Sequence, residues 1–147
     1  MKDSGRGGRW KKGTIFRYGQ LDEDGTGNYF ETDQGENDTP TLYLSSGRTP
    51  NNMKSGIIRR IHYRLNPTNA VTYTLRLYAK AVAPNYQSGM SKLYDSGAAK
   101  ADDTEYDVAV EIPFILLVKG KLYYAIEWSA APGDTTGYIE VMGEVIS

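Results

Sequence analysis

The sequence predicts an all-β protein: an antiparallel β-sandwich, jelly-roll-like, with a flexible basic N-terminal arm. Three observations carry this expectation. From Thr41 onward apolar and polar residues alternate with period two, the mark of strands that bury one face. Turn chemistry punctuates that alternation at Ser46-Gly47, Thr49-Pro50-Asn51-Asn52, Asn66-Pro67, Ser96-Gly97, Lys119-Gly120 and Pro132-Gly133. No segment carries a sustained helical stripe with caps. In a chain of 147 residues, many short strands at this spacing imply one two-sheet domain, with a jelly roll as the leading topology.

Residues 1–13 read as the arm, because four glycines and several cations cannot offset the entropy of ordering. Trp10 is its one large apolar residue and could anchor it on a neighbour. Residues 14–147 form the single sandwich domain. Within it, 14–18 is a short strand, and 19–39 is an acidic loop around the aromatic pair Tyr29-Phe30. Further strands are expected at 41–44, 57–65, 71–80, 91–95, 106–112, 114–118, 122–129 and 137–146.

The best-defined pair is 57–65 with 71–80. In the first, Ile57, Ile61, Tyr63 and Leu65 share a face with Arg59, and Ile58, Arg60, His62 and Arg64 take the other. In the second, Val71, Tyr73, Leu75, Leu77 and Ala79 form the apolar face and Thr72, Thr74, Arg76, Tyr78 and Lys80 the polar one. Matching the apolar faces makes a hairpin with the loop 66–70, Leu65 opposite Val71 and Arg60 opposite Arg76.

Charge is sorted along the chain. Residues 1–18 carry a net +5, 19–38 a net −7, 39–94 a net +8 without a single Asp or Glu, and 95–147 a net −7; together these give the overall −1. Complementary blocks of this kind steer association and set register between partners, including copies of one chain. Arginines facing each other across a hairpin also require acid nearby. Outward acids of later strands, Asp107 and Glu111 or Glu140 and Glu144, are one source. The 22–38 loop of another subunit is a second. A nucleic acid or other polyanion is a third, disfavoured by the net charge and by the lack of any nucleic-acid module, except through the basic arm. The candidate interface is therefore Arg60, His62, Arg64, Arg76, Tyr78 and Lys80, together with Arg6, Arg9 and Trp10 of the arm.

The acidic loop carries a partial calcium pattern. Oxygen donors recur at Asp22, Asp24 and Thr26, Gly27 follows, Asn28 adds another, and Asp33 stands twelfth, as in a calcium loop. A solvated Asp-Gly hairpin is the competing reading. Other chemistry is sparse. There is no cysteine, and His62 is the only histidine, so no histidine pair or thiolate site exists. No nucleophile-elbow pattern is present. The expectation is a non-enzyme without a resident cofactor, calcium aside. The first nine residues lack the apolar core of a signal peptide, and Ile112–Val118, interrupted by Pro113, is too short for a bilayer. A soluble chain without a membrane partner is expected.

The basic Gly-rich arm (Gly5-Arg6-Gly7-Gly8-Arg9), the absence of cysteine, the strand-dense body from Thr41 to Ile146 and the lack of catalytic groups resemble small viral or phage virion β-sandwich proteins, meaning capsid, penton-type or decoration subunits. The resemblance implies a symmetric homo-oligomer, other virion proteins as partners and location in the virion. A second resemblance points elsewhere. Leu93-Tyr94-Asp95-Ser96-Gly97 and Lys121–Trp128 are similar to strands of jelly-roll carbohydrate-binding modules, in which exposed aromatics stack on sugar rings. Here Leu122, Tyr124, Ile126 and Trp128 make a core stripe and Tyr123 and Glu127 face outward, which implies a calcium-assisted sugar-binding module as the alternative.

Overall fold

The computed structural model describes residues 12–27, 29–31, 42–44, 53–79, 92–97, 100–116 and 121–146. Lys80, Arg6, Arg9, Trp10, Asn28 and Asp33 lie outside them, as does the body of the expected arm. The described residues are all-β. Strands run over Ile15–Asp22 (β1), Leu42–Leu44 (β2), Ser55–Pro67 (β3), Thr72–Tyr78 (β4), Lys92–Asp95 (β5), Lys100–Ala101 (β6), Tyr106–Ile115 (β7), Leu122–Trp128 (β8) and Thr135–Val145 (β9). Among the described residues no helix is long and apolar enough to cross a membrane.

The strands form two antiparallel sheets. Sheet A has the order β1-β9-β3-β7, and sheet B the order β2-β8-β4-β5 with β6 also on β4. The short strands β5 and β6 lie in succession along β4, one against Arg76–Tyr78 and the other against Thr72–Tyr73. Between them Ser96 is tied to Leu75 by its backbone N–H and by its hydroxyl, which accepts from Leu75 N at 3.0 Å.

Three expectations are corrected here. First, the acidic loop does not begin at Gly19: β1 continues through Asp22, paired residue by residue with β9. Second, residues 106–112 and 114–118 are not two strands. β7 runs through Pro113, which is tolerated because β7 is an edge and needs no N–H donor on its free side. Third, β3 and β4 do not pair. β3 lies between β9 and β7, and β4 between β8 and β5. Residues 68–71 cross from one sheet to the other and are pinned to the β8–β9 connection, with Thr68 N and Asn69 N donating to Asp134 O and Pro132 O, both at 3.0 Å. Two half-apolar strands can bury their apolar faces side by side or face to face. This chain does the second, and Tyr63 of β3 meets Tyr73 of β4 edge-on across the core at 6.3 Å.

The core is aromatic. Trp128, Tyr18, Tyr63, Tyr73, Tyr78, Tyr124, Phe16 and Phe30 are all fully buried. Burying tyrosine is favourable in area but obliges the hydroxyl to find a partner. Tyr124 donates to Tyr29 O at 2.9 Å and Trp128 Nε1 to Phe30 O at 2.8 Å, which fastens residues 29–30 over sheet B. The hydroxyl of Tyr18 is buried without a hydrogen-bond partner, and burial raises its pKa.

Candidate functional site

The outer face of sheet A gathers most of the charged groups singled out from the sequence. Direct cross-strand partners share a face, so the rows can be read across the sheet. Gly19, Glu140, His62 and Asp107 make one row; Leu21, Tyr138 and Arg64 make the next. Both ladders of β3 shift register between Ile58 and Arg60. This bulge turns Arg59 and Arg60 outward together, correcting the expected inward phase of Arg59, and before it Ile57 faces outward and Ile58 is buried, the reverse of the expected phases. A strand that kept strict alternation would have buried one of the two charges, and a bulge avoids that cost.

Every outward arginine of this face meets a carboxylate of the same chain. Arg60 grips Asp107 with two parallel bonds, Nε–Oδ1 at 2.6 Å and Nη2–Oδ2 at 2.7 Å. Arg64 binds Asp103, whose left-handed backbone (φ 52°) aims its carboxylate at β3 from the turn before β7. Arg59 reaches Glu144 at 3.1 Å and Glu111 at 3.4 Å, and Arg17 reaches Glu140 at 3.2 Å. The two-point hydrogen bond from Arg60 holds the Asp107 carboxyl below its usual range. Of the sources of acid open from the sequence, the described residues use the outward acids of later strands, and add Asp103 and Glu105.

His62 is flanked by carboxylates. Its Nε2 lies 2.5 Å from Glu105 Oε2 and its Nδ1 3.6 Å from Glu140 Oε1. An ionised carboxylate only accepts, so Nε2 carries the proton toward Glu105. Tyr138 donates to the same Glu105 oxygen at 3.0 Å, and its ring lies 5.0 Å from the imidazole, tilted by 57°. Hydrogen bonds from His62 and then Tyr138 lower the Glu105 pKa. Burial, followed by the Glu105 bond, raises that of Tyr138. Beside this cluster is an open hollow of about 380 Å³, bordered by Arg17, Gly19, Leu21, His62, Tyr138 and Glu140.

The opposite end of the face carries exposed apolar side chains around Glu144. Ile15, Glu144, Ile57 and Pro113 form one cross-strand row, and Ile115 follows two residues beyond Pro113 on the same side. Ile15 is 66% exposed and Ile115 71%. Composition gave no hint of this strip, because its members come from three separate strands. Only the register brings them together.

The remaining candidates are dispersed. Arg76 belongs to sheet B, where Asp95 Oδ2 meets its Nε at 3.0 Å and Glu127 Oε1 its Nη1 at 2.7 Å. Glu127 is thereby engaged with Arg76 on the outer face of sheet B. Tyr78 keeps the face expected for it, pairing with the outward Tyr123 of β8 and lying near Arg76, Asp95 and Glu127, but it is fully buried there, and burial raises its pKa. In the calcium-like loop Asp22 is buried, and its two oxygens accept from Gly25 N at 2.8 Å and Gly27 N at 3.2 Å. Asp24 Oδ1 accepts from Thr26, whose hydroxyl and backbone N–H lower the Asp24 pKa. These carboxylates close their own loop. Among the described residues no group of three His, Cys, Asp or Glu side chains is placed to hold a metal.

No protein-family model matches the chain, and no curated protein does. It is similar in structure to a chain of infectious bursal disease virus, Gt strain (10% identity, TM-score 0.38, 92% of this chain and 33% of that one). It is also similar to dimeric latent PorU from Porphyromonas gingivalis (12%, 0.37, 94% and 14%) and to the Cry4Aa toxin of Bacillus thuringiensis (18%, 0.26, 77% and 19%). The chain spans a third or less of the length of each of these solved chains.

Proposed function

We propose that this chain is a non-enzymatic structural subunit that self-associates, of the kind that forms or decorates virion shells. The observation that carries the reading is the apolar strip of Ile15, Ile57, Pro113 and Ile115 on the outer face of sheet A. Ile57, Pro113 and Ile115 adjoin one another, with Ile15 across the paired Glu144, and exposed apolar side chains gathered on a sheet face among paired charges suit a protein partner. In a homo-oligomer every copy presents the same strip, and an isologous contact buries two at once. The strand order supports the architectural half. β1-β9-β3-β7 facing β2-β8-β4-β5 is the order of an eight-strand jelly roll, with β6 continuing β5.

The driving force differs from a basic face meeting foreign acid. Arg17, Arg59, Arg60 and Arg64 already have carboxylate partners within the chain, so a second subunit gains little by offering more. Apolar burial takes that role, and the ion pairs around it act on orientation.

Light scattering over a concentration series, at low and high salt, tests this. The wild-type mass should exceed that of the monomer and persist in high salt, since screening weakens charge contacts but leaves apolar burial intact. Ile115→Lys should shift the mass to monomer with unchanged far-UV circular dichroism. A wild-type monomer at every concentration and salt would sink the proposal. Dissociation by salt would return the contact to the charges.

A further inference from the structure

We infer that the hollow over Gly19 is a binding subsite for a neutral sugar ring. Its shape begins with an omission. On β1 the outward positions are Arg17, Gly19 and Leu21, and Gly19 places no side chain over its partner Glu140 or over His62 in the next strand. Gly19 itself is buried, and Arg17, Leu21, His62, Tyr138 and Glu140 border the hollow beside it. A volume of about 380 Å³ falls within the range of small-molecule sites.

The lining selects the chemistry. Leu21 is 55% exposed and directly paired with Tyr138, so the two give the hollow an apolar wall. The Tyr138 ring is held in place, because its hydroxyl is tied to Glu105 and its face lies beside His62. Opposite that wall are Arg17 and Glu140, and Gln20 also contributes to the rim. A pyranose matches this division, with one C–H face for the apolar wall and hydroxyls that both donate and accept.

Neutrality follows from the pairing already present. Arg17 is bound to Glu140, and His62 to Glu105. A charged ligand would have to compete with one of these contacts. Hydroxyls need not: a carboxylate has about four lone-pair sites and a guanidinium five N–H donors, so further hydrogen bonds add without breaking the pairs. This subsite lies at the other end of the sheet from the apolar strip and does not depend on self-association.

The test is a titration of the full ¹⁵N-labelled chain, followed by amide shifts, with the methyl glycosides of glucose, galactose, mannose and N-acetylglucosamine. Inorganic phosphate serves as the charged comparison. At least one glycoside should give saturable shifts at Gly19, Gln20, Leu21, Tyr138 and Glu140, and phosphate none there. Gly19→Val, which fills the hollow with a residue strands favour, should weaken that binding by about tenfold or more. Leu21→Ala, at an exposed position, should weaken it several-fold and serves where the valine variant is poorly folded. Absence of saturable shifts with all four glycosides would overturn the inference. So would equal shifts in wild type and either folded variant, or phosphate binding at these residues. Ile115→Lys should leave sugar binding unchanged, which separates this outcome from that of the self-association test.

Discussion

Arg76 Nη1 stands 2.7 Å from Glu127 Oε1 while its Nε holds Asp95 Oδ2 at 3.0 Å, so one guanidinium bridges β8 and β5 across β4. Its side chain is only 18% exposed, against 46% for Arg60. Removing one partner from a fully buried pair costs about 3–5 kcal/mol, and partial solvation reduces that here. Arg76→Ala should therefore destabilise the fold by about 1–3 kcal/mol in urea unfolding. Replacing Asp95 and Glu127 by Asn and Gln in the same variant should recover part of the loss, because the two carboxylates would no longer face each other unpaired. An Arg76→Ala variant as stable as wild type would remove this pair from the account of sheet B.

Acid should weaken the protein through a small set of carboxylates. Burial pushes the Asp95 pKa up, but the Gly97 N–H and the charges of Arg76 and Lys92 outweigh it, leaving it below its ordinary 3.8. Asp107 is lowered by Arg60, and Glu105 by His62 and Tyr138. A carboxyl whose folded pKa is depressed binds fewer protons folded than unfolded. It therefore contributes fully above its unfolded pKa and loses that contribution as pH falls through the folded one. The melting temperature should be level with respect to these groups above about pH 5 and fall below about pH 4. Asp95→Asn should flatten that fall. A variant curve parallel to wild type over this range would show that Asp95 does not contribute.

Most strand faces were legible in the sequence, Ile57, Ile58 and Arg59 around the bulge excepted, and the strands' neighbours were not. Alternation placed Ile61, Tyr63, Leu65, Tyr73, Leu75 and Leu77 inward, where the structure has them. It could not distinguish a hairpin from two strands facing each other across a core, because period two specifies which side is buried and nothing about what lies alongside. Hence Arg60 and Arg76 emerge on different sheets. The bulge at Arg59 left a trace, since two adjacent arginines in an otherwise alternating strand cannot both keep strict phase and stay solvated. Asp107, Glu111, Glu140 and Glu144 could be found by phase. Asp103 could not, because a turn with positive φ carries it to Arg64. The hollow over Gly19 and the strip from Ile15 to Ile115 depend on register between distant segments, which no local pattern encodes.

Two glycines make the centre of sheet A packable. Gly143 lies opposite both Phe16 and Ile58, and Gly56 opposite both Val145 and Phe114. Phe16, from one edge strand, extends its ring over these bare positions and meets Phe114 of the other edge strand at right angles, ring centroids 5.7 Å apart. A methyl group at Gly143 would overlap the Ile57 carbonyl oxygen and come within 2.6 Å of the Phe16 ring; at Gly56 it would stand 2.8 Å from Glu144 O and 2.9 Å from that ring. Gly143→Ala should thus cost more than Gly56→Ala, about 3 kcal/mol or more, in the range reserved for core overpacking with backbone displacement. Phe16→Leu in the Gly143→Ala background should restore only part of the loss, because the collision with the Ile57 carbonyl remains after the ring is gone. Full restoration by Phe16→Leu would mean that the ring alone, and not the β3 backbone, excludes a side chain at this position.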